Sequence, residues 1–275
     1  MSFRGLESLV KCTFSYIRSL LLRCTQNRYI KYLPYNPRHD DVYLVSFPKS
    51  GNTWMGFLIA NTALSLKNID RDVNFFNSHH FVPDIHDTRD INNYTLPIGF
   101  RCIKSHSSFN PLYLSVVYVL RHPEDVMVSY YKFMCGLGGY KGTISDFIRS
   151  KQYGISAWAS HVEGWLSPGN NQSMAIILIR YEDLKADSGI QMQKVFRFFG
   201  FHVDDSIKDN VTMKTSFSVM KQMEEDVYVS GRPIAGDFRF MRKGKSLDNN
   251  ADLSAVDRSY LREIAGSLMK KFNYE

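Results

Sequence analysis

One lysine, one glycine and three short polar side chains stand together at Lys49-Ser50-Gly51-Asn52-Thr53, and Trp54 follows them directly. The N–H groups at the start of a helix carry partial positive charge, and a glycine lets the chain bend closely around a guest. With an ammonium group beside them, these residues form an anion cradle whose natural guest is phosphate or sulfate. Ser50, Asn52 and Thr53 are also the residue types that cap a helix N-terminus with their side chains, and they are expected to do so here. Further reactive groups lie along the chain: Lys104 and His106, Arg121 with Ser129 eight residues later, Tyr181, and Arg242-Lys243-Gly244. Arginine offers a forked set of donors suited to phosphate, and a serine about two helical turns on returns to the same side of the helix. Histidine is the natural base for an acceptor hydroxyl at neutral pH. Taken singly, each has a plainer reading: an exposed arginine, a helix-interior serine, a structural histidine.

Positioning these groups requires a scaffold. Val42–Phe47 is a short apolar run rich in β-branched and aromatic residues, suited to a strand covered on both faces and stopped by Pro48. Phe100–Lys104, Val116–Leu120 and Ala175–Arg180 read as further strands, with helices from about Glu124 and over Ile190–Phe199. Residues 68–98 are polar and contain Pro83 and Pro97, so a loop with short helices over the site is expected. Strands alternating with helices predict an α/β fold: a single domain with a central parallel sheet flanked by helices and a P-loop-like nucleotide-binding core. Ligands collect at the carboxyl ends of such strands. Lys49, His106 and Arg121 each lie just past one.

The 275 residues, 44% hydrophobic and 22% charged, exclude a disordered chain. A net charge of +7 suits a polyanionic ligand, an anionic membrane or nucleic acid, and nothing in the sequence matches a nucleic-acid-binding motif. Cys12, Cys24, Cys102 and Cys135 fit neither a metal site nor a disulfide framework, and no metal-ligand cluster is visible. Residues 1–41 read as a basic amphipathic extension in front of a domain at 42–275. Its apolar run Leu6–Cys24 is interrupted by Lys11, Arg18 and Arg23, which argues against a membrane span. A helix packed on the domain is favoured over one lying on anionic lipid, and a cytoplasmic protein is expected, with peripheral membrane contact as the alternative. Oligomeric state is left open.

In a Walker A loop the lysine follows the glycines, whereas Lys49 precedes Gly51, so the loop is not that of a P-loop NTPase. Pro48-Lys49-Ser50-Gly51-Asn52-Thr53-Trp54 instead closely resembles the PKSGTTW loop of sulfotransferases that use 3′-phosphoadenosine 5′-phosphosulfate (PAPS), with Asn52 in place of threonine. The segment at 119–133 resembles that family's RNPKDVAVSYY stretch, in which Arg121 and Ser129 would hold the 3′-phosphate. Residues 101–109 resemble the KTH segment through Lys104 and His106, and residues 179–184 match YEDL through Tyr181. Residues 214–221 resemble TSFxxMK, which implies that Thr215, Phe217 and Met220 surround the adenine, with Trp54 and Phe217 on its two faces. Arg242-Lys243-Gly244 matches a second clamp on the 3′-phosphate. There the chain departs from the family's RKGxxGDW, because Lys245-Ser246-Leu247 follow and no Gly-Asp-Trp is present. The KxxxTVxxxE dimerisation motif is absent as well. The matching segments keep the family's order from about residue 42 to 275.

The resemblance implies transfer of a sulfuryl group from PAPS to a hydroxyl, less readily an amine, of a small-molecule, carbohydrate or lipid acceptor, leaving adenosine 3′,5′-bisphosphate. His106 would take the acceptor proton, Lys49 would stabilise the leaving phosphate, and Lys104 would hold sulfuryl oxygens. Ser50, Gly51, Asn52 and Thr53 would bind the 5′-phosphate. Two alternatives stand beside it: an ATP-dependent kinase using the same cradle, and a catalytically silent PAPS-binding module at a membrane surface. The acceptor pocket is expected from residues 70–98, 134–157 and 224–240, which contain Phe75, Phe76, Phe81, Tyr140, Tyr153 and Tyr228.

Overall fold

The computed structural model describes residues 29–167, 169, 174–229 and 252–274. The extension before residue 29 and the Arg242-Lys243-Gly244 segment lie outside these. Four strands form the centre: β1 (Val42–Ser46), β2 (Cys102–Ser105), β3 (Ser115–Leu120) and β4 (Ala175–Arg180). They are ordered β2-β1-β3-β4 and every pairing is parallel, with Leu44 opposite Lys104 on one side and Val117 on the other. All four carboxyl ends therefore meet along one edge of the sheet.

The period-two alternation of strand side chains divides the interior into two cores. Tyr43, Val45, Ile103, Val116, Tyr118 and Leu120 face one way. There they meet α3 (Pro123–Gly136), α4 (Ile144–Arg149), α5 (Ile155–Leu166) and α10 (Ala255–Lys271), including fully buried Trp158 and Trp165. Val42, Leu44, Cys102, Val117, Val119 and Ile179 face the other way. Against them pack α1 (Asn52–Ser65), α6 (Tyr181–Ala186), α7 (Ser188–Phe198), α8 (Asp205–Lys214) and α9 (Phe217–Val229).

The expected helix-flanked parallel sheet is present, with shifts at element ends. β2 begins at Cys102 rather than Phe100, because the Phe100 carbonyl accepts the Leu96 N–H and closes a turn. α7 begins at Ser188 rather than Ile190, because the Asp187 carboxylate accepts the Ile190 N–H and caps it. Within 68–98 the one helix described is the short α2 (Ser78–Phe81). After it, Asp84 makes a parallel bridge to Lys104, so this loop is fastened to the edge of β2.

Candidate functional site

The cradle is built by backbone conformation. Lys49 and Gly51 both have positive φ, 68° and 111°, which turns the chain sharply between β1 and α1. A Cβ on Gly51 would stand 2.7 Å from Cδ2 of Tyr181, so glycine is required both by the turn and by the close approach of that ring. Contrary to the capping expected of Ser50, Asn52 and Thr53, the N-cap of α1 is Gly51 and no side chain caps it. Asn52 turns inward instead. Its Nδ2 donates to the carbonyls of Leu44 (3.2 Å) and Ser105 (3.3 Å), joining the ends of β1 and β2. The leading N–H groups of α1 are thus left without a side-chain acceptor. Beside them, Ser50 Oγ, Asn52 Oδ1 and Arg121 Nε are buried without a hydrogen-bond partner. Buried unmet polar groups are costly, and of these the Ser50 hydroxyl and the Arg121 Nε–H are donors that fit an anionic guest, whereas the Asn52 oxygen is an acceptor. The Lys49 ammonium lies 4.4 Å from the centre of the Phe133 ring.

Arg121, the residue after β3, binds this loop from the side, with Nη1 donating to the Lys49 carbonyl at 3.1 Å. Its guanidinium lies 4.3 Å from the Tyr181 ring centre and 3.7 Å from the buried Asp125 carboxylate. Tyr181 in turn meets Trp54 edge-on at 5.9 Å, and Trp54 Nε1 donates to the Thr215 carbonyl at 3.0 Å. Lys49, Gly51, Trp54, Arg121, Tyr181 and Thr215 therefore form one connected wall. Behind it the ends of β3 and β4 are tied together. Glu182 accepts the His122 N–H and the Tyr274 hydroxyl, each at 2.9 Å, and the His122 ring donates to the Tyr274 carbonyl at 3.2 Å.

Other expected site residues have different surroundings. The Thr215 hydroxyl is spent on the Val211 carbonyl, and Met220 is fully buried in the core. Ser129 and Phe217 are half-buried on α3 and α9. Among the loop aromatics, Phe81 is buried and Phe75 packs on Phe57 at 5.0 Å, so both serve the core. Tyr140 and Tyr153 surround Phe147 and belong to an aromatic cluster with Tyr130. Among the described residues, no group of three or more His, Cys, Asp or Glu could hold a metal ion.

His106 follows β2, and its Nδ1–H donates to the Ser46 carbonyl at 2.8 Å. That bond fixes the tautomer and leaves the lone pair on Nε2, the form a base requires. Burial and the neighbouring Lys104 ammonium lower the His106 pKa to about 4, against the opposing pull of Asp84 and the Ser46 carbonyl. The imidazole is therefore neutral at pH 7. Lys104 Nζ sits 3.2 Å from Asp84 Oδ2, and the His106 N–H donates to His86 Nε2 at 3.0 Å. Asp84 and His86 were not singled out by sequence reasoning. Their proximity to the base arises from a non-local bridge between Asp84 and Lys104, which no local pattern encodes.

A family model described as "Sulfotransferase domain" matches residues 39–273. The chain belongs to the sulfotransferase family. Sulfotransferase 1 family member D1 of Rattus norvegicus is 29% identical over 270 residues, covering 86% of this chain and 87% of the relative. Mouse sulfotransferase SULT7A1, solved with PAP, superposes with a TM-score of 0.59 at 20% identity, covering 86% of each chain. Retinol dehydratase, solved with retinol and PAP, gives a TM-score of 0.64 at 16% identity over 89% of this chain and 84% of its own. The sulfotransferase fold accounts for the four-stranded parallel sheet and for the position of the loop at its carboxyl edge. Among the described residues no helix is long and apolar enough to cross a membrane.

Proposed function

We propose that this sulfotransferase uses PAPS as donor and transfers its sulfuryl group to the hydroxyl of a small-molecule acceptor, with His106 as the base. The observation that carries this reading is the uncapped start of α1, with the buried, unpartnered Ser50 Oγ and Arg121 Nε beside it. In this reading the N–H groups from Gly51 to Thr53 and the Ser50 hydroxyl hold the 5′-phosphate. Arg121, with Ser129, holds the 3′-phosphate, and Trp54 and Phe217 flank the base. When bound, PAPS supplies an activated sulfuryl group on a phosphate leaving group. Lys49 places its ammonium beside that phosphate, where charge builds as the bond breaks. His106 Nε2 accepts the acceptor's proton, while its Nδ1–H stays on the Ser46 carbonyl and keeps the ring aligned. The Arg242-Lys243-Gly244 segment is assigned the second contact with the 3′-phosphate on its motif. The dehydratase structure in complex with retinol and PAP supports a small alcohol as acceptor.

The test is release of adenosine 3′,5′-bisphosphate from PAPS in the presence of a panel of phenols, steroid alcohols, retinoids and sugars. Turnover with at least one member is expected. The His106→Ala variant should bind the bisphosphate as wild type does and release it from PAPS roughly 10²- to 10⁴-fold more slowly; turnover equal to wild type removes His106 from the role. Because the depressed pKa keeps His106 neutral, the acid limb of kcat/KM should lie below the ordinary histidine value of about 6.5.

A further inference from the structure

The segment after α2 runs beside β2. The Lys104 N–H donates to the Pro83 carbonyl at 2.8 Å, and the Ile85 N–H donates to the Lys104 carbonyl at 3.0 Å. This pairing delivers two side chains that the proposed reaction has not used. Asp84 meets Lys104 through Oδ2, and its Oδ1 accepts the His86 N–H at 2.9 Å. His86 accepts the His106 N–H, and its ring lies 6.3 Å from the His106 ring and 4.9 Å from Tyr32. The Asp84 side chain is only 15% exposed and that of Lys104 25%, so solvent screens this pair less than a surface ion pair.

We propose that Asp84 is a positioning residue for sulfuryl transfer: it stations the Lys104 ammonium beside His106 and balances the charge that this ammonium brings to the base. The inference rests on the assignment of His106 as base. A lysine stem has four carbons of rotamer freedom, and a carboxylate anchored on the neighbouring backbone removes much of it. An ammonium next to an imidazole also disfavours the imidazolium that a base must become, and a carboxylate at the same place offsets that penalty. The charged and titratable groups facing His106 are Lys104 and Asp84 at its flank, His86 beside it and buried His161 of α5. His86 accepts a hydrogen bond through Nε2 and is held neutral by burial, against the pull of Asp84 and Asp87. His161 is likewise buried and neutral, pushed down to about 3. Lys104 and Asp84 are therefore the two groups whose charges set the field at His106 near neutral pH.

The experiment follows the His106 imidazole by NMR pH titration in wild type, Lys104→Met, Asp84→Asn and the double variant, with calorimetric binding of adenosine 3′,5′-bisphosphate to each. Lys104→Met should raise the His106 midpoint by about one pH unit, and adding Asp84→Asn should draw it back down. Bisphosphate affinity should stay within about twofold throughout, which separates this role from general unfolding. A double variant titrating as Lys104→Met does would overturn the proposal. So would a midpoint in Asp84→Asn equal to or above that of wild type. If wild type binds no bisphosphate, the PAPS reading itself fails and this inference with it. Binding by wild type with unmoved His106 midpoints removes Asp84 alone.

Discussion

The two halves of the candidate site are held in different ways. On the nucleotide side, the loop from Lys49 to Thr53 is shaped by two positive-φ residues, one close ring and bonds to main-chain carbonyls. On the base side, the Ser46 carbonyl orients the imidazole, while Lys104 and His106 also have ionisable neighbours, Asp84 and His86, carried on a loop fastened to the edge of β2. Backbone dipoles do not titrate, so the loop can present the same N–H groups at any pH where the protein folds. The second half depends on a charge balance and is the part that pH should alter. Holding a polyanionic nucleotide calls for permanence, whereas accepting a proton calls for a neutral imidazole with a free lone pair.

Variants can break or sharpen this contrast. The largest effect is expected from His106→Ala, a loss of roughly 10²- to 10⁴-fold in bisphosphate release with nucleotide affinity retained, measured by stopped assays and calorimetry. Loss of both together would blur the division between the halves. Arg121→Lys should weaken bisphosphate binding by about 10- to 100-fold, because a single ammonium replaces both the fork and the plane stacked on Tyr181. Calorimetry reads it directly, and unchanged affinity would take Arg121 out of the phosphate site. Gly51→Ala should cost about 1–3 kcal/mol in urea unfolding and also weaken nucleotide binding, since the new Cβ meets Tyr181 in a backbone region disfavoured for alanine. Tyr274→Phe removes one hydroxyl from Glu182 and should cost about 1 kcal/mol in the same unfolding assay. Its effect on bisphosphate affinity should stay below about threefold, because the His122 N–H keeps its bond to Glu182.

The strand, turn and helix of the cradle were readable in the sequence because their parts are contiguous: a β-branched strand, a proline stop, a lysine, a glycine and a helix follow one another from Val42 to Thr53. The strand ends carrying His106 and Arg121 were readable for the same reason, as apolar runs that break at polar residues. What escaped is non-local or competes with a local preference. Asn52 is a good capping residue by type, yet its amide donates to the carbonyls of Leu44 within β1 and Ser105 at the end of β2. Asp187 caps α7 through the Ile190 N–H, which brings Ser188 and Gly189 into its first turn ahead of the apolar pattern that starts at Ile190. Asp84 and His86 look like solvated loop residues until the bridge to β2 sets them against Lys104 and His106. Met220 sits in a motif that resembles a nucleotide contact, but its side chain is claimed by the core.

Asn52 has a mechanical consequence. Its single amide is a hinge pin shared by the cradle and the base: it rides on the first residue of α1 and grips the carbonyl of Ser105, the residue directly before His106. The start of α1 and the peptide just before the imidazole are therefore held to each other by one side chain. A threonine in its place carries one hydroxyl proton and could not donate to both carbonyls, so the tie between the two neighbouring strands would be lost.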